Sequence, residues 1–140
     1  MKLYLAGPMT GYPQFNFPLF HKAAAELRAE GLEVHSPAEA DSLAVQTAAM
    51  ASKDGTLDAN GKIAGETWGD ILAKDVKVVA DHVQGIVFLP GWEKSRGARL
   101  EAFVGLLCGH KFFTYEVDLG PEQDCYTILR SAEWVKDRVL

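Results

Sequence analysis

Short apolar segments alternate with amphipathic stretches along the chain, and this alternation constrains the fold more than any other feature. The run from Gly85 to Leu89 is nearly all apolar, which is typical of a strand buried on both faces. Strands separated by helices predict an α/β domain with a doubly wound parallel sheet of four to five strands, flavodoxin-like or Rossmann-like. We predict strands at residues 2–6, 32–35, 85–89 and 111–115, and helices at residues 17–30, 68–80, 95–108 and about 122–139.

Composition limits the class of protein. A chain of 140 residues with 48% hydrophobic and 24% charged residues fits one soluble domain over residues 1–140. A net charge of −5 argues against a nucleic-acid polymer as partner. We expect no membrane partner, because no apolar run reaches the roughly 18 residues of a membrane span, and no signal peptide, because the N-terminal apolar run is too short for one. Cys108 and Cys125 lack metal-ligand spacing, so we expect reduced structural thiols in a cytoplasmic protein that needs no metal or other cofactor.

Residues 38–66 interrupt the alternation. An Ala-rich part favours a helix, and the polar, turn-rich stretch KDGTLDANGKIAG follows it. A connection of this length in a small domain usually has a function. We expect residues 42–66 to form a mobile lid or insertion that shapes the ligand pocket.

Two Gly-rich loops follow the first and third predicted strands. In a flavodoxin-like strand order these strands are neighbours, and ligands bind beyond their carboxyl ends. The second loop opens into a helix N-terminus, which favours an anion such as phosphate. The candidate substrate-binding residues of these loops are Gly7, Pro8, Met9, Thr10, Gly91, Ser95, Arg96 and Gly97.

Glu101 lies among apolar neighbours on the helix that the second loop opens, where a buried carboxylate would be costly. Ser95 and Glu101 are about 9 Å apart along the helix axis at about 1.5 Å per residue. This is near the span from a sugar 5′-phosphate to the anomeric carbon, so the spacing suits a nucleotide. The alternatives are that Glu101 is exposed and paired with Lys94 or Arg99, and that Ser95 only caps the helix.

Several motifs together resemble the nucleoside 2-deoxyribosyltransferase superfamily: YLAGPMTG at the N-terminus, Lys74-Asp75, GIVFLPG and SRGARLEAFVG. Within it, the chain is similar to phage and prophage proteins of unassigned function and to glycosidases that cleave nucleoside 5′-monophosphates. Those glycosidases carry Ser-x-Gly-x-Gly-x-Glu. Ser95, Gly97 and Glu101 match this motif, and Arg99 replaces its second glycine. The resemblance covers most of the chain but not residues 38–66.

The resemblance implies an N-glycosidase acting on a (deoxy)nucleoside 5′-monophosphate, with Glu101 as nucleophile and Asp75 and Tyr4 as further catalytic residues. A carboxylate at C1′ stabilises or captures the oxocarbenium-like transition state of such a cleavage. Arg96 or Arg99 would help to hold the phosphate. Water as acceptor makes the protein a hydrolase, and a second base makes it a deoxyribosyltransferase. We also expect a homodimer or higher homo-oligomer, with Trp134 at the interface.

Two other function classes remain open at this point. Cytokinin-activating phosphoribohydrolases carry a PGGxGTxxE loop, to which PGWEKSRGARLE is loosely similar without the Gly-Gly and Gly-Thr pairs. A non-catalytic nucleotide-binding module is the other alternative. Base release from a nucleotide panel separates enzymes from a binding module, and ribose against deoxyribose substrates separate the two enzyme classes.

Overall fold

The computed structural model describes residues 1–116 and 129–139. The strands are β1 (Lys2–Ala6), β2 (Glu33–His35), β3 (Lys62–Ile63), β4 (Glu66–Thr67), β5 (Gly85–Phe88), β6 (Lys111–Tyr115) and β7 (Leu129–Ser131). Five of them form a sheet with the order β2-β1-β5-β6-β7, and β3 and β4 form a separate two-stranded hairpin. The helices are α1 (Phe17–Ala29), α2 (Pro37–Ala40), α3 (Leu43–Ala51), α4 (Trp68–Asp81), α5 (Arg96–Leu107) and α6 (Lys136–Val139).

The predicted doubly wound architecture is confirmed. Strand β1 pairs in parallel with both β2 and β5, and β5 pairs in parallel with β6. The strand order reverses between β1 and β5, so the loops after these strands meet at the switch point where ligands bind in open α/β sheets. The predicted helix 17–30 ends one residue earlier, at Ala29, and Gly31 adopts the left-handed φ of 83° that stops it.

Side chains alternate across the sheet and give the fold two cores. Leu3 and Leu5 of β1 pack on one face against apolar residues of α1 and α3. Tyr4 and Ala6 point to the opposite face, where α4, α5 and Val135 cover the sheet. This alternation, which follows from the two-residue repeat of a strand, directs Tyr4 towards α5.

The prediction of a terminal helix over about residues 122–139 is wrong for residues 129–131, which form a strand, and is confirmed only for residues 136–139. Residues 129–131 form β7, which pairs antiparallel with β6, and helix α6 covers only Lys136–Val139. Pairing satisfies the outer edge of β6, which would otherwise present unpaired backbone groups, and the Ala132 N–H donates to the Phe112 carbonyl at 2.8 Å. Residues 122–128 of the predicted helix, with Cys125, lie outside the described residues. Cys108 is exposed at the end of α5.

About half of the segment after β2 forms regular secondary structure. Helices α2 and α3 confirm the helical expectation for its Ala-rich part, and the Ser42 side chain caps α3 by accepting from the Val45 N–H at 3.2 Å. The hairpin β3–β4 then leads directly into α4, which begins with a capping box between Thr67 and Asp70. Within the described ranges, no helix is both long and apolar enough to cross a membrane.

Candidate active site

A cavity of about 320 Å³ lies beyond the carboxyl end of β1, between the loop that follows this strand and the start of α5. This volume is at the lower end of the range for small-molecule sites. The sequence-predicted residues that line it are Tyr4, Gly7, Pro8, Met9, Thr10, Asp75, Ser95, Arg96, Gly97 and Glu101. The structure therefore brings together ten of the predicted residues from β1, the loop that follows it, α4, and α5 with its N-cap.

Two predicted residues, Gly91 and Arg99, are not part of the cavity wall. Gly91 has a left-handed φ of 86°, and a Cβ there would lie 2.8 Å from the Tyr12 hydroxyl and 3.3 Å from Pro8 Cγ. Its position therefore supports packing of the two loops against each other. Arg99 lies on the exposed side of α5.

Glu101 is only 5% exposed, so the alternative that it is a solvated surface residue is wrong. It lies on the face of α5 that contacts the sheet, together with Ala98, Ala102 and Gly105. These small residues let the helix come close: a Cβ on Gly105 would be 2.5 Å from Ile86 Cδ1. The Tyr4 hydroxyl, itself fully buried, donates a hydrogen bond to the Glu101 carboxylate. Helix and sheet thus fix the carboxylate in one orientation.

The carboxyl groups of Glu101 and Asp75 both have raised pKa values. Burial, followed by the negative charge of Asp75, raises the pKa of Glu101 well above its ordinary value, while the hydrogen bond from Tyr4 opposes the rise. Burial, followed by the charge of Asp41, raises the pKa of Asp75 to about 7, against the opposing charge of Lys74. The site therefore retains carboxyl protons near neutral pH, which is the condition for general acid catalysis.

The opposite end of the cavity is suited to an anion. The Ser95 hydroxyl caps α5 by accepting from the Ala98 N–H at 3.2 Å, so the predicted capping role is confirmed. Lys94 and Arg96 also line the cavity at this helix N-terminus, where the backbone dipole favours negative charge. The Arg96 guanidinium lies 4.9 Å from the centroid of the Trp68 ring, which holds the cation beside the cavity mouth.

A strained turn forms another part of the wall. Gln14, Phe15 and Asn16 are three consecutive non-glycine residues with positive φ, at 54°, 51° and 62°. Such backbone is unfavourable and persists only where surrounding contacts hold it. Asn16 donates from Nδ2 to the Pro8 carbonyl at 2.9 Å, and Phe15 is buried with its side chain on the cavity. The sequence carries no local signal for this turn.

The segment 42–66 contributes to the wall through Val45, Leu57 and Ile63. It is hydrogen-bonded to the loop after β1: the Gly11 N–H donates to the Gly55 carbonyl at 2.8 Å, and the Gln14 N–H donates to the Ser52 carbonyl at 2.8 Å. The segment therefore shapes the cavity, as predicted. Its mobility remains a prediction.

Sequence reasoning missed two charged residues of the cavity wall, Lys94 and Asp41. Asp41 is the acidic one of the two. It follows α2, is 9% exposed and lines the same cavity. Burial raises the pKa of its carboxyl group to about 6. The one available signal was an acidic residue a few positions after a short predicted strand, and that pattern is too common to identify a site.

One protein-family model covers most of the chain. The model for DUF4406, described as a domain of unknown function, matches residues 1–114, a range that includes every residue lining the cavity. No curated protein matches the chain. Because the family match spans most of the sequence, the protein belongs to the DUF4406 family.

Proposed function

We propose that this protein is an N-glycosidase that cleaves the base–sugar bond of a (deoxy)nucleoside 5′-monophosphate, with Glu101 as nucleophile. One observation carries the proposal: a buried carboxylate, held by the Tyr4 hydroxyl, lines a cavity whose other end is a helix N-terminus with Lys94 and Arg96. A phosphate at that end would place the sugar towards Glu101. The resemblance of SRGARLE to the motif of nucleotide N-glycosidases supports the same assignment.

The chemistry uses the two carboxyl groups in different protonation states. Glu101 attacks C1′ while the C1′–N bond breaks, and the base leaves with the bonding electron pair. Asp75, whose pKa of about 7 leaves it partly protonated at neutral pH, gives its proton to the departing base. Water then attacks C1′, passes a proton to Asp75 and frees Glu101 with release of the sugar phosphate. If a second base takes the place of water, the same site performs base exchange.

Tyr4 has a supporting role in this scheme. Its hydroxyl donates to Glu101 and stabilises the ionised carboxylate that the first step requires. The positive charge that develops on the sugar lowers the cost of ionising Glu101, because an oxocarbenium-like group beside a carboxylate is a favourable ion pair. The elevated pKa of the ligand-free site is therefore compatible with a nucleophilic role.

The experiment is a chromatographic screen for base release from ribo- and deoxyribonucleoside 5′-monophosphates, with and without a free acceptor base. Glu101→Gln should lower release by several orders of magnitude while the fold and nucleotide binding persist. Glu93→Gln is the matched control, since Glu93 is exposed near the same helix and does not line the cavity. Near wild-type turnover by Glu101→Gln would overturn the assignment. Binding without any base release by the wild type would instead favour a non-catalytic nucleotide-binding module.

Self-association is the second part of the proposal. Leu100, Phe103 and Leu107 form an exposed apolar stripe at helical spacing along α5, and Trp134 is 47% exposed. We propose that these residues contribute to a homodimer interface, as the enrichment of aromatic and apolar residues at interface cores favours. Light scattering of the wild type and of Phe103→Glu tests this, and a wild-type monomer at micromolar concentration would contradict it.

A further inference from the structure

The cavity contains a third carboxyl group, Asp41, to which the mechanism above gives no role. Its backbone is fully engaged: the N–H donates to the Pro37 carbonyl at 3.3 Å, and the carbonyl accepts from Gln46 Nε2 at 2.7 Å. Its side chain differs. Within residues 1–116 and 129–139, no group donates a hydrogen bond to the Asp41 carboxylate and no cation forms a salt bridge with it.

A largely buried carboxylate that receives no hydrogen bond from the protein must take its donors from water or from a ligand. The nearby cation does not resolve this: Lys74 acts on Asp41 only through its charge, because its ammonium group is bound to Glu66 at 2.5 Å. The Asp41 side chain is 9% exposed, and its accessible side is the cavity. The donor to this carboxylate therefore comes from the cavity, where a ligand would replace water.

The two ends of the cavity differ in chemistry, which indicates what lies beside Asp41. Lys94, Arg96 and the start of α5 form the cationic end. Away from that end, much of the wall is apolar and belongs to one core cluster that includes Phe15, Val45 and Ile63. Apolar walls with a carboxyl group among them suit a nucleobase, which has two apolar faces and a polar edge.

The three carboxyl groups line one cavity and come from different elements: Glu101 from α5, Asp75 from α4 and Asp41 from the end of α2. The charge of Asp75 acts on Glu101, and the charge of Asp41 acts on Asp75. With the phosphate at α5 and C1′ at Glu101, a bound nucleotide would have its base in the part of the cavity that Asp75 and Asp41 also line.

We propose that Asp41 determines base specificity, by accepting a hydrogen bond from the exocyclic amino group of an aminopyrimidine or aminopurine. This inference rests on the proposed function. An ionised carboxylate only accepts hydrogen bonds, and an amino group offers it two N–H donors. An oxo group at the same position would direct lone pairs at the carboxylate and leave both groups unsatisfied. Sites that hydrogen-bond a substrate group discriminate strongly against analogues that lack it.

The test uses two pairs of nucleotides in which an amino group is exchanged for an oxo group and the adjacent ring nitrogen gains a hydrogen: CMP with UMP, and AMP with IMP, each as ribo- and deoxyribonucleotide. We expect kcat/KM to favour the amino member at least tenfold in one of the pairs. Asp41→Asn supplies a donor to an oxo group without a change in side-chain shape, and should reduce this ratio at least tenfold. Asp81→Asn is the matched control, because Asp81 is exposed, pairs with Lys77 and does not line the cavity.

The outcomes separate this inference from the proposed function. Base release with equal kcat/KM within both pairs, or an unchanged ratio in Asp41→Asn, overturns the role of Asp41 and leaves the glycosidase intact. If no nucleotide is cleaved, calorimetric titration of the same pairs into the wild type and Asp41→Asn decides. If the wild type binds the amino member more tightly and Asp41→Asn loses this preference, the inference is supported although the glycosidase proposal fails. If the wild type shows no preference, both are overturned. If Asp41→Asn does not fold, the preference of the wild type for the amino member over the oxo member still tests the inference.

Discussion

The Tyr4 hydroxyl of β1 donates a hydrogen bond to the Glu101 carboxylate of α5, and so joins the sheet to the helix at the centre of the cavity. Both side chains are buried, so the bond forms in a medium where a lost donor is not replaced by water. This contact couples the position of the proposed nucleophile to its ionisation.

Tyr4→Phe retains the ring and removes the donor, so we expect the fold to persist and kcat/KM to fall. A hydrogen bond to a charged group contributes about 1.5–3 kcal/mol, which corresponds to a loss of roughly 10- to 100-fold. Because the bond lowers the pKa of Glu101, its removal should move the acidic limb of the pH–rate profile to higher pH. Tyr115→Phe is the control: the Tyr115 hydroxyl donates to Glu26, outside the cavity. An unmoved acidic limb would argue against the coupling.

The cationic end of the cavity predicts a preference for 5′-monophosphates over free nucleosides. Arg96→Ala should reduce kcat/KM for the nucleotide by about 10-fold or more, since an interaction of 1.4 kcal/mol corresponds to tenfold. The same variant should leave kcat/KM for the free nucleoside nearly unchanged, so each substrate serves as the control for the other. Equal kcat/KM for nucleotide and nucleoside in the wild type would contradict a phosphate site and favour an enzyme that takes unphosphorylated substrates.

The raised pKa of Asp75 predicts how stability depends on pH. Its folded pKa of about 7 exceeds its ordinary value of 3.8, so its protonated form is favoured by folding. The stabilisation that it provides is complete below about pH 4 and is lost as the pH rises through about 7. Asp75→Asn, which cannot ionise, should therefore raise the free energy of unfolding at pH 8 by roughly 1–3 kcal/mol relative to wild type, and by less at pH 5. Denaturant titrations at the two pH values measure this difference.

Asp81→Asn provides the comparison for that series. The Lys77 ammonium beside Asp81 lowers the pKa of this exposed carboxyl group, so its titration is finished below the pH range used. The Asp81→Asn variant should therefore show the same change in the free energy of unfolding between pH 5 and pH 8 as the wild type. If the free energy of unfolding changed between pH 5 and pH 8 by the same amount in Asp75→Asn as in the wild type, Asp75 would ionise normally in the folded protein.

Much of the fold was predictable because its signals are local. Apolar runs ending in glycine or proline mark β1 and β5, and the parallel α/β order then makes these strands neighbours. The same reasoning placed Glu101 and Ser95 on one helix at a spacing that suits a nucleotide. Tyr4 and Asp75, implied by the resemblance, do line the same cavity.

The remaining features depend on contacts between distant parts of the chain. Residues 129–131 form a strand because β6 offers a free edge, which the periodicity of the C-terminal residues does not report. Asp41 becomes a site residue only when α3 and the β3–β4 hairpin enclose it beside α4. The left-handed turn at residues 14–16 depends on hydrogen bonds to Pro8 and Ser52, which lie in other segments.

Residues 42–66 contribute to the cavity wall and form backbone hydrogen bonds with Gly11 and Gln14 of the loop after β1. Chemistry at C1′ benefits from control over water, and a segment joined to the site by few backbone bonds is suited to open and close. We expect amide hydrogen exchange in residues 42–66 to slow when Glu101→Gln binds the nucleotide with highest affinity in the panel.

Gly55 is the matched probe, because a Cβ there would lie 2.1 Å from the Tyr12 carbonyl oxygen. Gly55→Ala should separate the segment from the loop, speed exchange over residues 42–66 and weaken nucleotide binding. Protection confined to residues 90–97 would show that the segment is a static wall and not a lid.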